Sequence, residues 1–524
     1  MGASKLKLVR NVNHSRRFRL VVLMAGCFGV TMAFLVVSKP QTPVHSNPGF
    51  RTWLPPPQSG DDVVNGDNNG IQGSHSATSE EEDALNSQAL GKVEKEEKQV
   101  PHVAEINIEK EKSFQREENA IVVDSTPKEE ASIHELTGTM QIPERKPLCD
   151  VSDQRVDVCE MYGDIRIPGN SSSVIFMEPS NAEPKELWQV HPYPRKGDET
   201  CLAGVRELTV KSSSESPKCT FHHDVPAIVF SVGGYTGNLF HDFTDLLVPL
   251  FLTARQFDGE VRFVVTDFKR WWIAKYLPVL QRLSKYPVID HDKDEEVHCF
   301  KQVIVGLRAH KEFHIDPARA TNGYTMIDFT KFMRRVFSVG RETLNCIEDL
   351  SAWKPRLLII ARKRSRAFTN VDEIVAAAEE LGYEVVVGEA DAGTNLARFA
   401  QIVNSCDVMM GVHGAGLTNF VFLPLNATVI QIVPWGGLEW IAVLDFGNPA
   451  KEMGLNYVQY SISIEESTLS EQYPRDHPAF TDPMSFHKRG FHVVRSTFME
   501  NQNVKLDVSR FRDVLWKALE HMLQ

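Results

Sequence analysis

The sequence has no excess of basic residues and no closely paired cysteines. Its 524 residues include 57 Lys and Arg against 69 Asp and Glu, which gives a net charge of −12. Nucleic acid is bound mainly through its phosphates, which require a basic surface, so this balance argues against nucleic acid as a main partner. None of the eight cysteines belongs to a C-x-x-C motif, and this excludes a zinc ribbon and a thioredoxin-like redox pair.

Aromatic residues are scarce in the stretch 38–147, which contains only Phe50, Trp53 and Phe114. Within it, residues 80–130 hold fifteen acids against seven bases. Such a composition cannot bury enough apolar surface to offset the entropy lost on ordering. We therefore expect 38–147 to be a disordered stem, although its charged part, 80–120, could also form a helix.

The chain has one long uncharged run, Leu20–Val37, and six basic residues with no acid precede it. As a helix, this run spans about 27 Å, close to the hydrocarbon thickness of a secretory-pathway bilayer. A cleaved signal peptide would have a shorter apolar stretch and an A-x-A pattern, which is missing here. Because basic residues stay in the cytoplasm, we predict a cytoplasmic tail (1–19), a transmembrane signal anchor (20–37) and a lumenal remainder.

Seven cysteines lie beyond the predicted anchor, where disulfides can form. We expect up to three disulfides and one free thiol. Proximity in sequence favours Cys149–Cys159 and Cys201–Cys219, with Cys406 unpaired because it lies in an apolar run, but the sequence does not fix the connectivity. Two lumenal N-glycosylation sequons are also present, at Asn170 and Asn426.

From Leu148 onward, short apolar runs alternate with helical patterns, which is typical of parallel sheets covered on both faces. Two such series predict an α/β protein with two facing Rossmann-like domains, 148–345 and 346–524. Ligands bind beyond the carboxyl ends of the strands in such sheets, so we expect a cleft between the domains. The predicted strands are 227–232, 261–266, 302–307, 356–361, 383–388, 406–412 and 428–433, and the predicted helices are 239–256, 270–283, 371–381, 395–404, 415–422 and 508–523.

The motif GVHGAGLTN, Gly411–Asn419, joins a predicted strand to a predicted helix. Its glycines allow a tight turn, and the N–H groups at a helix start form an anion site. Such a turn can need glycine for packing alone, but the polar residues around it favour phosphate binding. The predicted phosphate-binding residues of this motif are His413, Gly414, Ala415, Gly416, Thr418 and Asn419.

The stretch VHGAGLTNFVFLP at 412–424 resembles the signature of the family 61 glycosyltransferases of plants and animals. GNLFHDFTD at 237–245 and CEMYGDIRIPGNSSSVIF at 159–176 resemble the plant branch in particular, which includes xylan arabinosyl- and xylosyltransferases. The resemblance extends over roughly residues 150–520. It implies a GT-B fold, inversion at the anomeric carbon, a nucleotide diphosphate sugar as donor, and a Golgi enzyme that acts on xylan.

The GNLFHDFTD motif follows the predicted strand 227–232 and begins a helix. His241 and Asp245 are four residues apart and share a helix face, whereas Asp242 points about 100° away. An inverting transferase needs a base that takes the proton of the acceptor hydroxyl. Our first choice for this base is Asp242, and the second is His241 oriented by Asp245. These residues could instead cap the start of the helix.

The loop ARKRSRAF, Ala361–Phe368, follows another predicted strand and contains four basic residues. A GT-B enzyme without a metal must neutralise the leaving diphosphate with protein groups, and Arg does so through bidentate contacts. In the family-like pattern, Arg362 and Arg366 match the diphosphate-facing positions. Glu389, which ends the strand pattern that starts at Tyr383, could hold a ribose hydroxyl.

Carboxylates at a spacing suited to a metal occur in IDHDKDEE, which contains Asp290, Asp292 and Asp294. Metal-dependent GT-A transferases hold a divalent cation with such groups. Charge runs are usually solvated loops, so we expect no metal and no cofactor besides the UDP-sugar substrate.

Together these features favour a membrane-anchored Golgi glycosyltransferase that moves arabinofuranose or xylose from a UDP-sugar to xylan. Two alternatives stay open: the same fold acting on a protein or N-glycan acceptor, and a non-catalytic Golgi scaffold. Other Golgi glycosyltransferases are further candidate partners.

Overall fold

The computed structural model describes residues 146–178, 186–344, 354–389 and 395–523. The predicted tail, anchor and nearly all of the stem lie outside these ranges. Every described residue belongs to one compact unit, Ile133–Gln524. In the described ranges, we find no helix with the length and apolar character needed to cross a membrane.

The strands of the described residues form two sheets, and the first sheet precedes the second in the chain. The first sheet contains β1 (Cys149–Asp150), β2 (Val158–Pro168), β3 (Ser173–Met177), β4 (Leu187–Val190), β5 (Leu208–Ser213), β6 (Phe221–His223), β7 (Ala227–Ser231), β8 (Arg262–Thr266), β9 (Ile289–Asp290) and β10 (Val297–Val305). The second contains β11 (Arg356–Ala361), β12 (Glu384–Glu389), β13 (Val408–Val412), β14 (Thr428–Val433) and β15 (Asn456–Ser461).

The second sheet is a doubly wound parallel sheet with strand order β12-β11-β13-β14-β15. Its central strands β13 and β14 are buried along their whole length, which explains their continuous apolar sequences. The chain runs from β11 to β12 on one side and then returns past β11 to β13 on the other side, so the strand order reverses between β11 and β13. Ligands bind at the carboxyl ends of the strands at such a reversal.

The first sheet has a parallel part, β10-β7-β8-β9, in which the order reverses between β7 and β10. Beyond β10, the sheet continues with β2, which pairs antiparallel to it, and then with β3, β5 and β4. The sequence analysis predicted β7, β8 and β10 but missed these added strands. In β2, charged residues such as Asp164 and Arg166 interrupt the apolar pattern, because only alternate positions are buried. The first sheet is therefore larger and more mixed than a Rossmann-like sheet.

The α-helices of the described residues cover both sheets. They are α1 (Glu199–Leu202), α2 (Leu239–His241), α3 (Val248–Ala254), α4 (Arg270–Leu283), α5 (Met326–Val336), α6 (Val371–Glu380), α7 (Leu396–Asn404), α8 (Glu439–Ala442), α9 (Asn448–Glu452), α10 (Pro478–Thr481), α11 (Met484–His487), α12 (Phe491–Val494) and α13 (Val508–Leu523). The predicted helix 415–422 is a 3₁₀-helix, Ala415–Phe422.

Three π-helical turns occur in the described residues: Arg495–Glu500 follows α12, and the other two each join a pair of α-helices. Asp242–Leu247 joins α2 to α3, and Val443–Gly447 joins α8 to α9. A proline follows each of the two joining turns, Pro249 in one and Pro449 in the other. Proline lacks an N–H group and its ring clashes with the carbonyl four residues earlier, so it disfavours regular α-helical bonding at that point. The residues four positions before these prolines are Asp245 and Asp445.

The two halves of the unit share one hydrophobic core. Among the described residues, four aromatic pairs cross between the halves, at centroid distances of 5.4, 5.6, 5.5 and 6.4 Å: Phe240–Phe446, Phe313–Phe420, Phe337–Phe422 and Phe243–Phe422. The predicted domains therefore each contain one sheet, but their interiors are continuous.

Two disulfides are present in the described residues. Cys149–Cys159 is confirmed, whereas the predicted pairing of Cys201 with Cys219 is wrong, because Cys219 is bonded to Cys299. The strand β6 lies beside β10, and this long-range pairing places the two cysteines together. Cys201 and Cys406 are buried free thiols. Cys346 lies outside the described residues.

Candidate active site

The reversal point of the second sheet brings two loops together. One loop follows β11 and contains Arg362 and Arg366, and the other follows β13 and contains Gly414. Gly414 has a φ of +148°, and a Cβ atom there would lie 2.9 Å from Arg362 Nη1 and 3.0 Å from Arg366 Nη1. Only glycine leaves this space open between the two guanidinium groups.

Arg362 and Arg366 are partly buried cations that lack a carboxylate partner within ion-pair distance in the described residues. Arg362 Nε donates to Ser365 O at 2.9 Å, and Arg366 Nη1 donates to His413 O at 3.1 Å. Burial and the charge of Arg362 lower the pKa of Arg366 to about 10. Arg366 Nε is buried and has no hydrogen-bond partner within the part of the chain that the structure describes. Adjacent cations of this kind are stabilised by an anion that accepts several hydrogen bonds, such as a diphosphate.

Arg366 also has an unusual backbone conformation, with a φ of 54°. A non-glycine residue in the left-handed region carries strain, and such strain is often found at functional sites. Its N–H group donates to Gln502 O, which holds the loop in this conformation. The strained backbone therefore directs the guanidinium towards Gly414.

His413 is a buried, neutral side chain. Tyr457 Oη donates to Gln431 Oε1 at 2.8 Å, so the Gln431 amide nitrogen faces His413 Nδ1, also at 2.8 Å. This network assigns the ring proton to Nε2. Burial and the neighbouring arginines lower the pKa of His413 to about 3. Its Nε2 lies 3.9 Å from Asp445 Oδ2.

The remainder of the glycine-rich motif shapes the turn. Ala415 is the only residue of 411–424 that is not buried, so the loop is accessible at Ala415, next to Gly414. Thr418 and Asn419 were predicted to contact the nucleotide sugar, but they are 0% and 2% exposed. Asn419 donates to Gly416 O at 2.9 Å and thus holds the helix start rather than a ligand.

Glu389 ends β12, as predicted, and is exposed beside the arginine loop. Its carboxylate lies 2.6 Å from Lys363 Nζ. A ribose hydroxyl would share this exposed carboxylate with Lys363, so the role of Glu389 stays a prediction.

The loop after β7 leads to a second group of polar residues at the reversal point of the first sheet. His241 Nδ1 lies 3.0 Å from Asp245 Oδ2, as the four-residue spacing predicted. Asp245 is fully buried and also accepts from Tyr193 Oη, Arg195 Nε and Arg155 Nη2, at 3.1, 2.7 and 3.2 Å. Since His241 Nδ1 must donate to this carboxylate, His241 Nε2 has the lone pair and can accept a proton.

Asp242, our first choice for the base, lies in the interior. Its Oδ1 accepts from Trp272 Nε1 and Gly237 N at 3.0 Å each, and its Oδ2 accepts from Tyr276 Oη at 2.8 Å. The side chain is 0% exposed, and burial raises its pKa. A carboxylate enclosed by three donors cannot reach a substrate hydroxyl, so the structure assigns Asp242 to holding α2 against α4.

The sequence analysis missed several residues of this site. Glu312 follows β10 and accepts from Arg155 and Arg195 at 3.0 and 2.9 Å, which links it to the Asp245 cluster. Asp445 is another residue of the site, and it directly precedes Phe446, whose ring packs on that of Phe240. Burial and the charge of Glu312 raise the pKa of Asp445 to about 7. One signal for this site was visible in the sequence, the polar Gln431 inside the otherwise apolar strand TVIQIV. A buried polar side chain needs hydrogen-bond partners, so Gln431 indicates polar residues nearby.

Two carboxylates of the acidic run near β9 are paired within the protein, whereas Asp290 Oδ1 is buried without a hydrogen-bond partner in the described residues. Asp292 pairs with Arg206 at 3.2 Å, and Asp294 pairs with His298 at 3.0 Å. These carboxylates therefore hold the end of the first sheet.

A family model described as Glycosyltransferase 61 matches residues 239–430. The chain is 60% identical, over 72% of its length, to the alpha-1,3-arabinosyltransferase XAT3 of Oryza sativa subsp. japonica, and it spans 66% of that relative, just under two thirds. The beta-1,2-xylosyltransferase XYXT1 of the same plant is 46% identical over 73% of this chain and 86% of its own length. The xylan glycosyltransferase MUCI21 of Arabidopsis thaliana is 37% identical over 71% and 78%.

Proposed function

We propose that this chain, which belongs to the glycosyltransferase 61 family, is an inverting glycosyltransferase of the GT-B type that moves arabinofuranose or xylose from a UDP-sugar to xylan. The names of its similar relatives, which include arabinosyl-, xylosyl- and xylan glycosyltransferases, support the sugar and the acceptor. The observation that carries the proposal is the pair of adjacent arginines at the reversal point of the second sheet, Arg362 and Arg366, which have no carboxylate partner among the described residues.

In this proposal, Arg362 and Arg366 bind the diphosphate of the donor. Their guanidinium groups flank Gly414, where a phosphate oxygen can approach both of them. As the glycosidic bond to the diphosphate breaks, negative charge builds up on the leaving oxygen, and fixed cations in a buried site stabilise it. These cations take the place of a metal, so we propose that transfer is metal-independent.

His241 is our proposed base, in place of Asp242. Its Nε2 accepts the proton of the attacking xylan hydroxyl, and the ionised Asp245 stabilises the imidazolium that results. Attack on the face opposite the leaving diphosphate inverts the anomeric carbon. Arg155 and Arg195 keep Asp245 in place and offset its charge.

We further propose that the protein is a type II Golgi membrane protein with a lumenal enzymatic part. Two disulfides fit an oxidising compartment. The sequon residues Asn170 and Asn426 are exposed on turns, with φ values of 48° and 68°, so both are accessible for glycan attachment. The charge pattern around 20–37 supports the anchor. Neighbouring Golgi glycosyltransferases remain candidate partners.

The full-length chain in mild detergent provides the test. UDP release is measured with a panel of UDP-sugars, with and without xylo-oligosaccharides, in the presence of EDTA. We expect turnover of UDP-arabinofuranose or UDP-xylose that depends on the xylo-oligosaccharide and persists in EDTA. Turnover only with a peptide or N-glycan acceptor would show that the acceptor is a protein or an N-glycan rather than xylan. An inactive but folded chain that fails to bind UDP would overturn the enzymatic proposal. The non-catalytic Golgi scaffold would then be the remaining hypothesis.

A further inference from the structure

Asp445 is a carboxylate of the candidate active site whose oxygens accept no hydrogen bond from the described residues. Its side chain is 16% exposed, and within the described residues no N–H or O–H group donates a hydrogen bond to it. Nε2 of the neutral His413 lies 3.9 Å from its Oδ2, beyond hydrogen-bond distance. A sheltered carboxylate of this kind loses solvation without compensation, and this cost suggests that a ligand completes the site.

The position of Asp445 is between the two halves of the site. On one side, His413 connects it to the diphosphate site, because the His413 carbonyl accepts from Arg366. On the other side, Phe446 packs on Phe240, the residue before His241. The donor sugar is attached to the diphosphate at Arg366 and is attacked by a hydroxyl near His241. It therefore lies beside Asp445.

The other carboxylates near this path are already saturated. Asp245 accepts from four side chains, and Glu312 accepts from Arg155 and Arg195. The charged groups that face Asp445 are Glu312, which raises its pKa, and Arg195, which lowers it. Asp445 is thus the carboxyl group of this cluster that has oxygens available for a ligand.

The local backbone supports a role in ligand binding. Asp445 lies in the π-helical turn Val443–Gly447, four residues before Pro449. The matching turn in the other half carries Asp245 four residues before Pro249. Such π-turns are rare and frequently occur at functional sites, because they redirect side chains at some cost in helix stability.

We propose that Asp445 binds a hydroxyl group of the transferred pentose and thereby helps to select the donor sugar. The inference rests on the proposed function and adds the sugar subsite to it. A carboxyl group accepts hydrogen bonds from vicinal sugar hydroxyls in a geometry that depends on ring form, so arabinofuranose and xylopyranose present different partners. A site that hydrogen-bonds a substrate hydroxyl strongly disfavours analogues in which that hydroxyl is missing or displaced.

The test compares Asp445→Asn and Asp445→Ala with the adjacent exposed control Leu444→Ala, all in the full-length chain. The dissociation constants of UDP and of the preferred UDP-sugar are measured by calorimetry, together with KM, kcat and the preference between UDP-xylose and UDP-arabinofuranose. For Asp445→Ala, we expect UDP affinity within about twofold of the wild type, KM for the UDP-sugar raised about 10- to 100-fold, and a changed donor preference. Asp445→Asn should give a smaller effect, and Leu444→Ala none.

Three results would contradict this role. An equal loss of UDP and UDP-sugar affinity would place Asp445 in support of the diphosphate site. A loss of kcat with an unchanged KM would make it the base, and unchanged kinetics would make it a bystander. These results are all distinguishable from failure of the proposed function, in which the wild-type chain binds neither UDP nor any UDP-sugar and the role of Asp445 falls with it.

Discussion

Replacement of Asp445 by Asn should stabilise the protein in a pH-dependent way. Burial and Glu312 raise the pKa of this carboxyl from 3.8 to about 7. The folded chain therefore holds its proton more tightly than the unfolded chain does. The stabilisation from this proton is fully present below the unfolded pKa and is lost as the pH rises through the folded pKa. Asn does not titrate and avoids this loss.

The magnitude follows from the size of the shift. A difference of about three pKa units corresponds to roughly 4 kcal/mol, which is the upper limit of the effect once the carboxyl is ionised in both states. Because the side chain is 16% exposed, water relieves part of this cost, and we expect about 2 kcal/mol. At about pH 4, the protonated carboxyl and the amide should give nearly equal stability.

The assay is thermal denaturation of wild type and Asp445→Asn in parallel, without ligand, at a series of pH values from about 4 to about 8. The midpoint of the variant should exceed that of the wild type by a few degrees at the upper end, and the difference should vanish at the lower end. A variant that is less stable than the wild type at about pH 8 would refute the reasoning, since it would mean that the carboxylate has protein partners that stabilise its ionised form.

Three further substitutions test other parts of the account. Gly414→Ala should weaken UDP binding, measured by calorimetry, at least about 10-fold, because the added methyl group enters the space between the two guanidinium groups. The control is Gly382→Ala, which has a φ of +97° and open space around it and so tests backbone strain alone. Asp242→Asn should lower the free energy of unfolding by about 2–4 kcal/mol in urea titrations, and intact stability with lost kcat would instead restore Asp242 as the base. Cys299→Ser opens a disulfide that spans 80 residues and should lower the free energy of unfolding by roughly 4 kcal/mol in the same titrations. Cys201→Ser should change this free energy little. A non-reduced peptide map that links Cys201 to another cysteine would contradict the assigned pairing.

The second sheet was predictable because its sequence signal is local. The strands 356–361 and 428–433 were predicted with the bounds they have, since each is a short, mainly apolar run between turns. The glycine-rich motif follows β13 directly, so its position at a strand end could also be derived. Strand β15, NYVQYS, was missed because polar side chains interrupt it at the edge of the sheet.

The choice between Asp242 and Asp245 could not be made from sequence. Helical spacing correctly placed His241 and Asp245 together, but every residue of the turn 242–247 is buried, so there is no polar face to identify. The partners that decide the two roles, Tyr276 for Asp242 and Arg195 for Asp245, lie 34 and 50 residues away in the chain. Asp445 was missed for the same reason, because its neighbours come from distant segments.

The central claim is that Arg362 and Arg366 bind the donor diphosphate without a metal. The most direct measurement is the affinity of UDP for the full-length chain in EDTA, compared between the wild type, Arg366→Gln and the control Arg364→Gln, which changes an exposed arginine of the same loop. We predict that UDP binds the wild type and the control with similar affinity in EDTA and binds Arg366→Gln at least about 100-fold more weakly, because a charge-assisted contact to phosphate is lost. Equal affinity of Arg366→Gln and the wild type, or UDP binding that requires an added divalent cation, would contradict the account.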